Sequence, residues 1–204
     1  MPSIYRLKPR FQALLQPTVT ALAKRGVTAN QVTVAAMILS LLGGGMLVLD
    51  PTDPFLVAII PAILFVRMTL NAIDGMLARE HGQASRLGAL LNELGDVVSD
   101  AALYLPLALV LAAPPWLMVL IVIAAIIGEM TGVVAIQIGA SRRYDGPLGK
   151  SDRAAVFGGL ALLIACGVPQ TGWIVPVLVA LLTLAVATII IRARNALRES
   201  TRHV

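Results

Sequence analysis

Apolar runs of similar length recur along the chain, separated by short polar breaks, and they predict six membrane-crossing helices, each needing about 20 mostly apolar residues. Residues 31–49 are uncharged and long enough for the first, and "DPTDP" (50–54) turns the chain. Residues 55–79 form a second span, which contains Arg67, Asn71 and Asp74. After the short loop "EHGQAS" (80–85), residues 86–113 form a third helix, ended by Pro114-Pro115, and residues 116–140 a fourth. The polar, glycine- and proline-containing loop "SRRYDGPLGKSD" (141–152) leads to a fifth helix at 153–167. "VPQTG" (168–172) is the last turn, 173–191 the sixth helix, and "RARNALRESTRHV" a basic tail. In "VTANQVT" (27–33), Thr28 or Asn30 can cap the open N–H groups of the first span. Ahead of it, residues 1–26 have no apolar core before Lys24 and no small-residue cleavage site, so they are not a signal peptide. They read as a basic amphipathic helix on the membrane surface, with Arg6, Lys8, Arg10, Lys24 and Arg25 toward anionic head groups. No repeat or low-complexity tract divides the chain. The fold expected over the single domain 1–204 is an all-α integral membrane protein with six transmembrane helices plus an N-terminal amphipathic surface helix.

Charge gives these helices an orientation. Six spans place both termini on one side, and 15 of the 16 Lys/Arg residues fall there: in the N-terminal segment, around the loops near 80–86 and 141–153, and in the tail. The turns at 50–54, 113–115 and 168–172 hold none, and Arg67 lies inside a span. By the positive-inside rule both ends are cytoplasmic. Trp116 and Trp173 start spans on the outer side, as interfacial anchors do. Composition agrees: 58% of residues are hydrophobic and 13% charged, against about 45–50% and 25% for soluble domains. The net charge of +5 could also serve nucleic acid, but aromatics are only 4% and the basic residues are scattered between apolar runs, so no nucleic-acid partner is expected. The single cysteine, Cys166, excludes an internal disulfide or a cysteine zinc cluster and reads as a small buried hydrophobe. His81 and His203 have no partner at metal-ligand spacing, and no Ser/His/Asp set, Walker loop or dinucleotide fingerprint occurs.

The candidate chemistry lies in "NAIDGMLAREHGQASRLGALLNELGD" (71–96). Ionisable residues in a span are costly and face the bundle interior or water. Asn71, Asp74, Gly75, Ala78 and Arg79 fall on one helical face, which Arg67 extends one turn deeper. Gly88, Asn92, Asp96 and Asp100 recur at steps of four and share a face of the next helix. The short loop makes the two helices antiparallel, so these faces are expected to meet at the cytoplasmic end. Two carboxylates and two amide carbonyls are hard oxygen ligands suited to Mg²⁺, Mn²⁺ or Ca²⁺. Arg79 can contact phosphate through its planar fork, and Gly75 and Gly88 leave room against the backbone. Together they point to a metal-held diphosphate. The alternative is a buried ion pair, Asp74 with Arg79 or Arg67, tying two helices together.

The frame Asn71-x2-Asp74-Gly75-x2-Ala78-Arg79-x8-Gly88-x3-Asn92-x3-Asp96 resembles the signature D-x2-D-G-x2-A-R-x8-G-x3-D-x3-D of the CDP-alcohol phosphotransferase family, also called CDP-alcohol phosphatidyltransferases, with six of eight positions matching. The length and span pattern resemble the family over nearly the whole chain. The resemblance implies transfer of a phosphatidyl group from CDP-diacylglycerol to the hydroxyl of a small polar alcohol, releasing CMP. It implies Mg²⁺ or Mn²⁺ held by Asn71, Asp74, Asn92 and Asp96, with Asp96 also the catalytic base. Asp74, Gly75, Ala78, Arg79 and Gly88 would line the CDP-lipid site. A homodimer in a bacterial inner membrane, with the active site on the cytoplasmic side, is also implied.

Asn71 and Asn92 depart from that signature and remove two negative charges. Asp100, one turn beyond Asp96, is a candidate compensating metal ligand, whereas Glu93 points off the face. Three readings follow: an active transferase with an altered metal site, an inactive relative that binds CDP-lipid or scaffolds a complex, and a small ion or lipid transporter. In "RRYDGPLGKSDRA" (142–154), Ser151 or Asp152 can cap the fifth helix, and Lys150 and Arg153 near its N-terminus are a candidate anion site. By the family resemblance they point to a phosphorylated polyol acceptor. Arg142 and Arg143 read as topology or head-group residues. Glu129, inside the fourth span beside Gly128 and Gly132, is either a protonated hydrogen-bonder between helices or a contact for the acceptor hydroxyl. Arg67 could neutralise it or Asp74.

Overall fold

The computed structural model describes residues 8–201, so Arg6, Arg202 and His203 lie outside the described residues. All regular structure in that range is helical: α1 Lys8–Lys24, α2 Ala29–Leu49, α3 Pro54–Glu80, α4 Arg86–Tyr104, α5 Leu107–Val110, α6 Pro115–Val134 with a 3-10 turn at Ala135–Ile138, α7 Lys150–Ala165 and α8 Ile174–Ser200. Four segments are long and apolar enough to cross a membrane: α2, α3, Pro115–Ile138 and α8. The polar residues of α4 and the short length of α7 keep those two out of that set.

Local chemistry sets most of the boundaries. Thr28 caps α2: its hydroxyl accepts the Gln31 N–H at 3.2 Å, and the Gln31 side chain accepts the Thr28 N–H at 2.9 Å. Asp53 caps α3 ahead of Pro54, and Ser85 caps α4 by accepting the Gly88 N–H at 2.9 Å. The third helix, expected unbroken to residue 113, stops at Tyr104. Pro106 has no N–H for a continuing helix and starts the separate turn α5. At α7 the expected caps give way to Gly149. Its N–H donates to Asp152 Oδ2 at 3.0 Å, and Ser151 lies inside the helix. The sixth helix runs nine residues past the apolar pattern, to Ser200, because Arg192 is buried rather than part of a solvated tail. Cys166 at the end of α7 is exposed rather than buried.

Packing places α2 at the centre of the site. It lies against both α3 and α4, while α3 packs on α7 and α6 on α8; α3 and α4 themselves barely touch backbone to backbone. The α2–α4 crossing depends on glycine. A Cβ on Gly44 would stand 1.8 Å from the Ala102 carbonyl oxygen, and one on Gly43 would stand 2.7 Å from Ile63 Cδ1. Only glycine lets backbones approach this closely. An apolar core then joins α2–α8 around Leu47, Ile60, Leu103, Tyr104, Phe157 and Leu178. A second, smaller cluster seats α1 on α2 and α3 through Val19, Val32, Ile73, Met76 and Leu77, helped by an edge-on contact of Phe11 with Phe65.

Candidate active site

The candidate site lies where the backbones of α3 and α4 stand apart at the ends joined by the 81–85 loop. A cavity of about 250 Å³ opens between the start of α2, the end of α3 and the start of α4. Asp74, Gly75, Ala78 and Arg79 line it from α3, Gly88 and Asn92 from α4, and Asn30 and Thr33 from α2. Six of the eight signature positions therefore face one cavity. The loop closing it is held by Gln83, which accepts the Ala29 N–H at 2.7 Å and donates to the Val27 carbonyl at 3.3 Å. Gly88 is needed here for a reason internal to the protein: a Cβ would stand 2.7 Å from Asn30 Oδ1. Gly75 leaves space for the exposed Arg79, whose guanidinium folds back to within 3.2 Å of where a Cβ would be.

Asp74 is 4% exposed, and its Oδ2 accepts the Thr33 hydroxyl at 2.7 Å. Among the described residues it forms no ion pair, so the expected alternative of a pair with Arg79 or Arg67 is not present. Thr33 was not singled out in the sequence, although it lies one helical turn beyond Ala29 on the cavity-facing side of α2. Asn71 and Asp96 sit just outside the cavity lining. The Asn71 amide donates to Asp96 Oδ1 at 3.4 Å, and Lys150 pairs with the same oxygen. Asp96 Oδ2 makes no hydrogen bond among the described residues.

Deeper in the bundle the expected assignments change. Asp100, expected to add a metal-ligating carboxylate, is taken by two guanidiniums. Its Oδ1 lies 2.5 Å from Arg67 Nη1, and its Oδ2 accepts from Arg153 Nε at 3.0 Å and Nη2 at 2.7 Å. The cause is position: one more helical turn carries Asp100 about 5–6 Å below Asp96, into the level of the buried arginines. Arg67 neutralises neither Asp74 nor Glu129; it serves Asp100 and donates to the Asp96 carbonyl at 3.2 Å. Arg153, expected to be open to an anion, is 2% exposed and joins Asp100 to Glu129. Lys150 remains at the edge of the site, bound to Asp96.

Glu129, expected as a protonated hydrogen-bonder between helices or a contact for the acceptor hydroxyl, is met by three arginines. Arg153 lies 3.0 Å from its Oε1, and Arg192 and Arg142 lie 3.3 and 3.4 Å from its Oε2. Arg142 also clamps Glu93 through two bonds of 2.6 and 2.5 Å. Arg143 bridges Asp145 at 2.7 Å and Glu199 at 2.5 Å. Both loop arginines, expected at the head groups, thus fasten the 141–149 loop to α4, α6 and α8. Arg192 was hidden in the sequence because it begins a segment that reads as a basic tail. Among the described residues no group of three or more Asp, Glu, His or Cys side chains could hold a metal ion. A metal at this site would take oxygens beyond its carboxylates, from amides, phosphate or water.

The comparisons follow this geometry. Over 164 residues the chain is 51% identical to the "Inner membrane protein YnbA" of Escherichia coli (strain K12), covering 79% of this chain and 81% of that one. Its fold matches a crystal structure of the Mycobacterium tuberculosis phosphatidylinositol phosphate synthase PgsA1 in complex with manganese and citrate, with TM-score 0.68, 22% identity, and coverage of 91% of this chain and 88% of that one. It also matches the same enzyme with CDP-DAG bound, with TM-score 0.64, 23% identity, and coverage of 90% and 92%. Residues 26–196, which contain the whole cavity and the arginine-linked helices behind it, match the family described as CDP-alcohol phosphatidyltransferase, and the chain belongs to that family.

Proposed function

We propose that the α2–α4 cavity binds CDP-diacylglycerol, and that Asp96 accepts the proton of a small alcohol's hydroxyl as the phosphatidyl group passes to it. In this step the alcohol oxygen bonds to the phosphorus bearing the diacylglycerol. The bond from that phosphorus to the bridging diphosphate oxygen breaks, and CMP leaves with the electron pair. The observation that carries the reading is that six of eight signature positions line one cavity while Asp96 stands at its edge with Oδ2 open. The solved neighbour with CDP-DAG bound gives the same fold a precedent for this ligand.

Asp74 and Asp96, with the amide oxygens of Asn71 and Asn92, are the donors for Mg²⁺ or Mn²⁺. The donor set fits, because Asp74 is a buried carboxylate with no cation of its own. A divalent ion there would neutralise the diphosphate oxygens and the leaving CMP. Asn71 must rotate its amide to offer oxygen, since its nitrogen faces Asp96. Asp100 is left out of the set. Arg79 and the small residues Gly75, Ala78 and Gly88 shape the CDP end of the cavity, and Lys150 holds Asp96 in place. Restoring charge through Asn71→Asp or Asn92→Asp is expected to tighten Mn²⁺ binding.

The membrane arrangement extends the four apolar segments to six. α4 with α5, and α7, add two crossings whose deepest charges, Asp100 and Arg153, are turned inward and paired. Both termini and the cavity are then cytoplasmic in a bacterial inner membrane, α1 lies along the surface, and the chain pairs as a homodimer. The test is CMP release by purified protein given CDP-diacylglycerol, Mn²⁺ and a panel of alcohols. Release with at least one alcohol, lost in Asp96→Asn, is expected. No release with any alcohol, while CDP-lipid binding persists, overturns the catalytic reading.

A further inference from the structure

The arginine cluster beside Asp96 is already occupied by a carboxylate of the chain itself. Arg142 from the loop, Arg153 from α7 and Arg192 from α8 converge on Glu129 of α6, at 3.4, 3.0 and 3.3 Å. The arrangement is built for this contact. Gly132 lets the 141–149 loop close over α6, a Cβ there standing 2.5 Å from the Arg143 carbonyl oxygen, which brings Arg142 beside Glu129. Arg192 is oriented further by donating to the Gly128 carbonyl at 2.6 Å and the Asp145 carbonyl at 2.9 Å. The cluster adjoins the reacting groups from two sides. Glu93, the other partner of Arg142, is one turn before Asp96 on α4, and Arg153 is one turn after Lys150 on α7. It is not sealed: the Arg142 side chain is 16% exposed and that of Glu129 11%.

Three guanidiniums around two oxygens is the coordination a phosphate group would receive. We propose that Glu129 is a built-in anion that occupies this cluster, and that the alcohol accepted by Asp96 therefore carries no phosphate. A phosphorylated acceptor would bring a second anion against Glu129, and juxtaposed like charges are strongly disfavoured. Glu129 is in this sense a specificity residue acting by exclusion. The inference rests on the reading of the chain as a phosphatidyltransferase with Asp96 as base, and its test is separable from that reading.

The first measurement needs no turnover: inorganic phosphate is titrated calorimetrically into the detergent-purified full chain, as wild type and as Glu129→Gln. Wild type is expected to bind at least about tenfold more weakly than the variant, and the gain is expected to vanish in a Glu129→Gln/Arg192→Gln double variant. Equal binding by wild type and Glu129→Gln overturns the proposal, as does a gain that survives loss of Arg192. If the variants do not fold, the wild-type result decides: saturable phosphate binding by wild type overturns the proposal, and no binding sustains it. The second measurement is CMP release by wild type with glycerol against glycerol 3-phosphate. Preference for glycerol is expected, and preference for glycerol 3-phosphate overturns the proposal. Absence of release with both leaves the transferase reading to the wider panel of alcohols and the role of Glu129 to the phosphate titration.

Discussion

Asp74 and Asp100 are both 4% exposed, on helices one short loop apart, yet their charges are met in opposite ways. Asp100 is enclosed by Arg67 and Arg153, three contacts of 2.5 to 3.0 Å that take both oxygens. Among the described residues Asp74 has one side-chain partner, the neutral Thr33 hydroxyl, and it faces a cavity. A buried ionised carboxylate without a cation costs several kcal/mol unless something completes it. In Asp100 the fold completes it; in Asp74 completion is left to whatever enters the cavity. Equal burial thus separates a group paired across helices from one that faces a cavity, which on the proposed reading waits for a ligand, and the deciding observation is the partner, not the depth.

Substitutions can break this comparison. The largest effect is expected on the ligand-facing side. Asp96→Asn should lower CMP release about 10²–10⁴-fold, the range of a lost general base, with the thermal unfolding midpoint in detergent unchanged. A variant that keeps wild-type turnover would remove Asp96 from the chemistry. On the other side, Asp100→Ala leaves Arg67 with only the more distant Asp96 at 3.8 Å and Arg153 with only Glu129, and should cost about 3–5 kcal/mol of stability. Denaturation of the solubilised protein checks this, and a neutral effect would show that Arg67 and Arg153 find other partners. Gly44→Ala should cost about 1–3 kcal/mol by overpacking, because the Ala102 carbonyl must move away from the new methyl group. Unchanged stability there would mean that α2 and α4 separate freely. The smallest expected change is that of Thr33→Val, which removes the one hydrogen bond to Asp74. About a tenfold loss of Mn²⁺ affinity is expected, as for other groups that orient a metal ligand, and equilibrium titration would show whether Thr33 has that role.

Some of this was legible in the sequence. Helical spacing alone placed Asp74, Gly75, Ala78 and Arg79 on one face and Gly88 and Asn92 on another, and the cavity shows both faces meeting one space. The Thr28 cap was readable because capping is local. What was not readable is pairing across helices. Periodicity put Asp100 on the same stripe as Asp96 and could not say that buried arginines wait one turn lower. Arg192 looked like tail because its burial depends on partners far along the chain, Glu129 and the carbonyls of Gly128 and Asp145. The faces of α3 and α4 were expected to meet, and they do so through side chains, Asn71 on Asp96 and Arg67 on Asp100; what the sequence did not show is that the start of α2 supplies a third wall of the cavity through Asn30 and Thr33.

The most direct test of the central claim, that Asp74 is a charge awaiting a cation, is an electron paramagnetic resonance titration of Mn²⁺ into the full chain with CDP-diacylglycerol present, comparing wild type with Asp74→Asn. The account predicts that wild type takes up the ion and that Asp74→Asn leaves it free at concentrations that saturate wild type. Equal uptake by the two proteins would contradict it.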